Sequence, residues 1–195
     1  MTDWGQLYRD HVDAVAALAP TLTEAQLATT VPATPEWTVH DVLAHMAGVP
    51  SDMLTGRMDG APSPGWTERA VAERRGRPVD ELVAELRSNT DAVVDSVVDN
   101  PAPAGVWDLA VHHTDVHEAL DLPRIPERLW QPVADALAQR SPELAAQVSA
   151  YELFRASFSR RSRGQMQGWG TDLSAEQLDQ VCIFGPREDD QPVPD

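Results

Sequence analysis

The sequence predicts an all-α protein: a four-helix bundle with additional C-terminal helices. Three observations carry that expectation. Apolar residues recur at spacings of three and four in successive stretches. Pro and Gly fall between those stretches rather than inside most of them. No stretch alternates apolar and polar residues long enough to read as a strand. The chain has 195 residues, enough for a real core, and 42% of them are hydrophobic.

Taken in order, residues 3–19 form a first helix with Leu7, Val12, Val15 and Leu18 inward, stopped by Pro20. His11 on it reads as a surface or satisfied core residue. Thr23-Glu24-Ala25-Gln26 is a short capped turn. Val31 to Trp37 is an extended, Pro-rich lead-in. Thr38 is then the N-cap of a second helix, with Asp41 supporting its first turn. That helix runs from Val39 to at least Met46, with interruptions expected at Gly48 and Pro50. His45 sits at the edge of its apolar arc, and His40 on the exposed side. Residues 56–65 read as a loop and 68–75 as a weak helix. A third long helix runs from Pro78 to about Val98. Residues 107–120 form the fourth. Pro126 opens a further helix, Ser141-Pro142-Glu143 another that reaches Arg163, and Ser174 caps a short final one. The expected organisation is one bundle over residues 1–165, added helices included. Residues 166–195 would follow as a short helix and a mobile acidic tail.

The formal charge of −16 opposes nucleic-acid binding, which needs clustered cations. Arg160, Arg161 and Arg163 form too short a run to change that. One cysteine, Cys182, leaves no intrachain disulfide and fits a reducing compartment. Neither a leader peptide nor a membrane-spanning run is visible. The expectation is a cytoplasmic protein, monomer or homodimer, without nucleic-acid or membrane partners.

The fourth helix holds three of the six histidines. At about 100° per residue, Asp108, His112 and Asp115 fall on one narrow stripe inside its apolar arc. Buried carboxylates need a partner or a metal. The stripe therefore reads either as a metal site or as a buried Asp–His hydrogen bond without chemistry. His113 and His117 fall on the opposite, polar side and are expected to be solvated. His117-Glu118 opens like a zinc-protease helix, but position 121 is Asp, so that reading fails.

Two stretches resemble a known family. Residues 35–48, PEWTVHDVLAHMAG, resemble the second helix of the DinB-like bundles, in the branch of mycothiol-dependent maleylpyruvate isomerases. Residues 107–115 resemble the later helix of that branch. The resemblance covers roughly residues 1–170 and implies His45, Asp108 and His112 as metal ligands. Asp108 stands where the better-known enzyme has Glu, one methylene longer. Asp115 also fits the pattern and is expected to accept the free ring N–H of a ligand histidine; a helix-dipole or inter-helix contact and direct ligation in place of Asp108 are the alternatives.

What the resemblance implies is a divalent metal, best zinc, with Fe, Ni or Mn also compatible with the ligands. It also implies a low-molecular-weight thiol such as mycothiol. The partners would be that thiol and a small electrophilic substrate, in a thiol-dependent S-transferase or isomerase. The other reading is a non-catalytic bundle, with or without metal, that binds or regulates.

Overall fold

The computed structural model describes residues 2–193. Among them the chain forms twelve α-helices and one two-stranded sheet. The helices pack as two compact units, one up to Leu122 and one from Pro123 onward. The sequence reading placed its division after residue 165.

The first unit is the bundle. Its long helices are α1 (Trp4–Leu18), α3 (Val39–Thr55), the pair α5 (Val79–Ser88) and α6 (Thr90–Val97), and α7 (Ala104–Ala119). Short helices α2 (Glu24–Leu27) and α4 (Pro64–Ala72) lie in the connections. Side-chain neighbours give the directions. Trp4 meets Trp107 and His11 meets His113, so α1 and α7 run parallel. His45 meets Asp108 while Gly105 lies against Met53, so α3 runs antiparallel to α7. His40 bonds the Arg77 carbonyl and Ser51 bonds Glu85, so α3 and α5 run parallel. Gly5 lies against Val94 and Arg9 pairs with Asp91, so α1 and α6 are antiparallel. Parallel neighbours need long crossovers, and residues 56–78, which contain α4, provide one.

Local chemistry explains the element ends. The Asp3 side chain accepts from the Gln6 N–H to start α1. Thr38 and Asp41 form a reciprocal capping box at the start of α3, as their spacing foretold. Arg75 also donates to Asp41 at 2.8 Å. Burial pushes the Asp41 carboxyl up, but the Thr38 N–H and Arg75 outweigh it and hold the pKa below its ordinary value.

Four expectations change. The lead-in before α3 is a hairpin of β1 (Thr30–Val31) and β2 (Thr34–Thr38), which the Pro-rich composition hid. α3 does not stop at Gly48 or Pro50 but continues to Thr55, where Gly56 ends it with φ +74°. Gly48 is needed there for closeness: a Cβ would lie 2.9 Å from an Arg74 guanidinium nitrogen. Arg74 in turn bonds the Ala70 carbonyl and Glu85. The third long helix breaks at Asn89, whose amide donates to the Ser51 hydroxyl at 2.8 Å. The predicted helix reaching Arg163 is instead two pieces, with a separate helix starting at Arg163, described next.

The second unit contains α8 (Glu127–Arg140), α9 (Pro142–Ala145), α10 (Ala150–Ser157), α11 (Arg163–Gln167) and α12 (Ala175–Val181). Trp130 on α8 packs edge-on against Tyr151 of α10 and stacks near Phe154. α10 ends because Ser159 takes φ +61°, outside helical space. Residues 187–192, expected in the tail, make contacts with residues 162–165. Arg187 bridges Ser162, the Ser162 hydroxyl donates to Asp190, and Gln165 exchanges two hydrogen bonds with Gln191. Pro194 and Asp195 of that expected tail lie outside the described residues. No helix among the described residues is long and apolar enough to cross a membrane.

Candidate metal centre

His45 lies in the middle of α3, and Asp108 and His112 lie one turn apart on α7. Because α3 and α7 are antiparallel neighbours, all three face one point. His45 Nε2 is 3.4 Å from one Asp108 oxygen and 3.3 Å from the other. His112 Nε2 is 3.6 Å from the first of these oxygens. The two imidazole centroids are 4.7 Å apart. Each of the three residues offers one ligand atom, and these atoms lie within 4.8 Å of one another. Among the described residues, no other group of His, Cys, Asp and Glu converges in this way.

The surroundings are dry on one side. The His45 and His112 side chains are 2% and 8% exposed, whereas Asp108 is 29% exposed. A small molecule would therefore reach the group on its Asp108 side. Trp37 of β2 stands 4.9 Å from the His45 ring, and Trp66 of α4 presents an edge to it at 6.4 Å. The hairpin and α4, both in connections between long helices, thus supply aromatic walls. Sequence reasoning passed over both tryptophans, since nothing in their spacing ties them to α3.

His112 Nδ1 lies 3.1 Å from Asp115 Oδ2, although the N–H does not point straight at that oxygen. Asp115 is 1% exposed. Burial pushes the His112 pKa down more strongly than Asp108 and Asp115 push it up, so the net shift is downward. A downward shift favours the neutral imidazole, the form that a metal ligand requires. His45 Nδ1 is buried without a hydrogen-bond partner.

The histidines expected on a polar face are placed differently. His113 is 2% exposed, and its Nδ1 lies 3.0 Å from Nδ1 of His11 on α1, itself wholly buried. His117, half-buried, packs edge-on against His113 with centroids 5.0 Å apart. The expected solvation of His113 is therefore overturned, because α1 covers that side of α7. His40 is half-buried and bonds the Arg77 carbonyl through Nε2 at 2.9 Å.

Burial, then the neighbouring His11 and His117, push the His113 pKa well below its ordinary value. The unfolded chain therefore binds a proton that the folded chain refuses. Stability is full above the unfolded pKa near 6.5 and is lost as pH falls below it. The expected loss is up to about 1.4 kcal/mol per pH unit for this one group. Urea denaturation of chelator-treated protein should show lower stability at pH 5.5 than at pH 7.5. Equal stability at both would mean that His113 titrates as in solution.

Residues 8–128, more than half of the chain, match the family described as the mycothiol maleylpyruvate isomerase N-terminal domain. The chain belongs to that family. The match spans the whole four-helix bundle except the first turn of α1, and it includes His45, Asp108 and His112. Comparison with curated proteins and with solved structures gives no match for this chain. The family match fits the observed geometry: it covers the elements that bring the two imidazoles and the carboxylate together.

Proposed function

We propose that His45, Asp108 and His112 hold a divalent metal, and that the protein uses a small thiol of the mycothiol type on a small electrophile. The observation that carries this reading is the convergence of two buried imidazole nitrogens and one part-exposed carboxylate within 4.8 Å. The donor set fits. Two nitrogens and one oxygen suit zinc with an open fourth place, and also Fe(II), Ni(II) or Mn(II). The family match supports the thiol.

A metal bound here would supply the charge that keeps a thiol deprotonated at neutral pH. The protein's own groups do the rest. Asp115, 3.1 Å from His112 Nδ1, is placed to accept a hydrogen bond from its N–H as the ring adjusts, which would fix the tautomer and leave the Nε2 lone pair toward Asp108. Trp37 and Trp66 exclude water around His45. The exposed edge at Asp108 admits the reactants. The thiol gives up its proton to solvent at the exposed Asp108 edge, and its sulfur forms a bond to an electrophilic carbon. Where a halide leaves with its electron pair, the outcome is S-transfer. Where the carbon belongs to a cis double bond, addition, rotation and elimination return the thiol and leave the trans isomer.

The test is conjugation of a chlorinated nitroaromatic with a mycothiol-type thiol. Acceleration over the uncatalysed rate, lost on chelation and restored by zinc, is expected. Metal binding without acceleration would favour the non-catalytic reading.

The role of Asp115 has its own outcome. Asp115→Asn should weaken metal affinity about ten- to a hundredfold without changing the ligand set. Unchanged affinity in a chelator competition would remove Asp115 from the site. His113→Ala together with His117→Ala should leave metal content near that of the wild type, since neither residue faces the convergent group.

A further inference from the structure

His45 and His112 are held by different means. His112 Nδ1 has the Asp115 carboxylate 3.1 Å away. His45 Nδ1 is buried and has no hydrogen-bond partner. A histidine that binds a metal through one nitrogen is normally oriented by a hydrogen bond at the other. Around His45 the neighbours are aromatic instead. Trp37 lies 4.9 Å from its ring at an interplanar angle of 38°, and Trp66 meets it edge-on at 6.4 Å and 84°. Both separations lie in the range of aromatic ring packing. The imidazole is thus confined from two directions by rings.

Trp66 is itself anchored. The Ser63 side chain caps α4 and accepts the Trp66 backbone N–H. The Trp66 indole N–H donates to the Arg57 carbonyl at 2.9 Å. The same carbonyl accepts from Arg69 at 2.9 Å, and Arg69 also donates to Asp52 at 2.6 Å. Asp52 is wholly buried on α3, about two turns beyond His45. The Arg57 guanidinium pairs with Glu73 at the far end of α4. Gly48, one turn after His45, lets α4 come close: a Cβ there would stand 3.3 Å from the Ala70 Cβ. These ties fix α4 on α3 with Trp66 against His45.

We propose that Trp66 is a positioning residue for the metal centre. It keeps the His45 ring aimed at Asp108 by packing, and the Arg57 carbonyl, shared with Arg69, keeps Trp66 in place. This rests on the metal reading above and adds a residue from the crossover, outside both ligand-bearing helices.

The test compares zinc affinity, by chelator competition, among wild type, Trp66→Leu and Trp66→Phe. Far-ultraviolet circular dichroism of the metal-free forms is the control for folding. Trp66→Leu should bind zinc about ten- to a hundredfold more weakly, the usual effect of losing what orients a ligand. Trp66→Phe, which keeps a ring edge, should recover most of that loss. Cobalt bound in place of zinc should show altered d–d bands in Trp66→Leu, which a merely structural role would not produce. Equal zinc affinity in wild type and Trp66→Leu would overturn the role of Trp66 and leave the metal reading intact. Weaker binding with wild-type cobalt bands, or equal weakening in both variants, would overturn it too. Hydrogen exchange on metal-free wild type tests the anchor without any variant: the Trp66 indole N–H should be protected, and exchange as fast as that of a free indole would overturn the proposal. No zinc uptake by wild type would overturn the metal reading and this proposal with it.

Discussion

Asp108→Ala is expected to abolish tight metal binding while leaving the bundle folded. Asp108 reaches both His45 and His112, at 3.3–3.6 Å. Without it, two neutral imidazoles remain, and no anionic ligand offsets the charge of a divalent ion in a dry site. The loss should exceed the ten- to hundredfold effect expected of an outer partner such as Asp115. The side chain is part-exposed, so its removal opens no sealed cavity. Zinc titration of the chelator-stripped variant reads the effect, with far-ultraviolet circular dichroism as the control for folding. A mild loss in Asp108→Ala beside complete loss in Asp115→Ala would exchange the roles assigned to the two carboxylates.

The second large effect is on stability, in the unit from Pro123 onward. Arg161 is wholly buried and donates to both oxygens of Glu152, at 2.6 and 2.8 Å. It also donates to the carbonyls of Arg160 and Pro192. Glu152→Ala leaves that guanidinium buried without its counter-charge. Removing one partner of a buried pair costs about 3–5 kcal/mol. Urea denaturation should show a loss of that order. A double change, Glu152→Leu with Arg161→Met, should cost less than Glu152→Ala, because no uncompensated charge remains. A loss below about 1 kcal/mol in Glu152→Ala would mean that the pair behaves as an exposed one.

This ion pair also shows what composition alone conceals. As a sequence, Arg160-Arg161-Ser162-Arg163 is a short basic run with no assigned role. In the fold, Arg163 is taken by Asp179 and Glu188, and Arg160 donates to the Phe158 carbonyl. The cations lock the C-terminal segment in place. Their acidic partners lie between 9 and 25 residues away, and helical periodicity says nothing about pairs at that range.

The bundle itself was legible because its signals are local. Apolar spacing, the Thr38–Asp41 box and the stop at Pro20 depend on a few consecutive residues. The stripe of Asp108, His112 and Asp115 was legible for the same reason, since helical geometry alone places the three on one face. His113 was misplaced because a helical wheel assumes one wet side. α7 is covered by α1 where the wheel predicts water, and the small Ala110 and Val106 on that side give no warning. Pro50 misled in the other direction: a local helix breaker gave way to the burial of Val49 and Asp52 on either side of it. The hairpin before α3 and the Trp37 and Trp66 walls depend on contacts across the chain, which no local pattern encodes.

The metal content of wild-type protein purified without a histidine tag tests the account most directly. Elemental analysis should find close to one divalent metal per chain, removable by chelation and regained on titration with zinc. A chain that carries no metal and takes up none, while His45, Asp108 and His112 remain intact and the bundle folded, would contradict it.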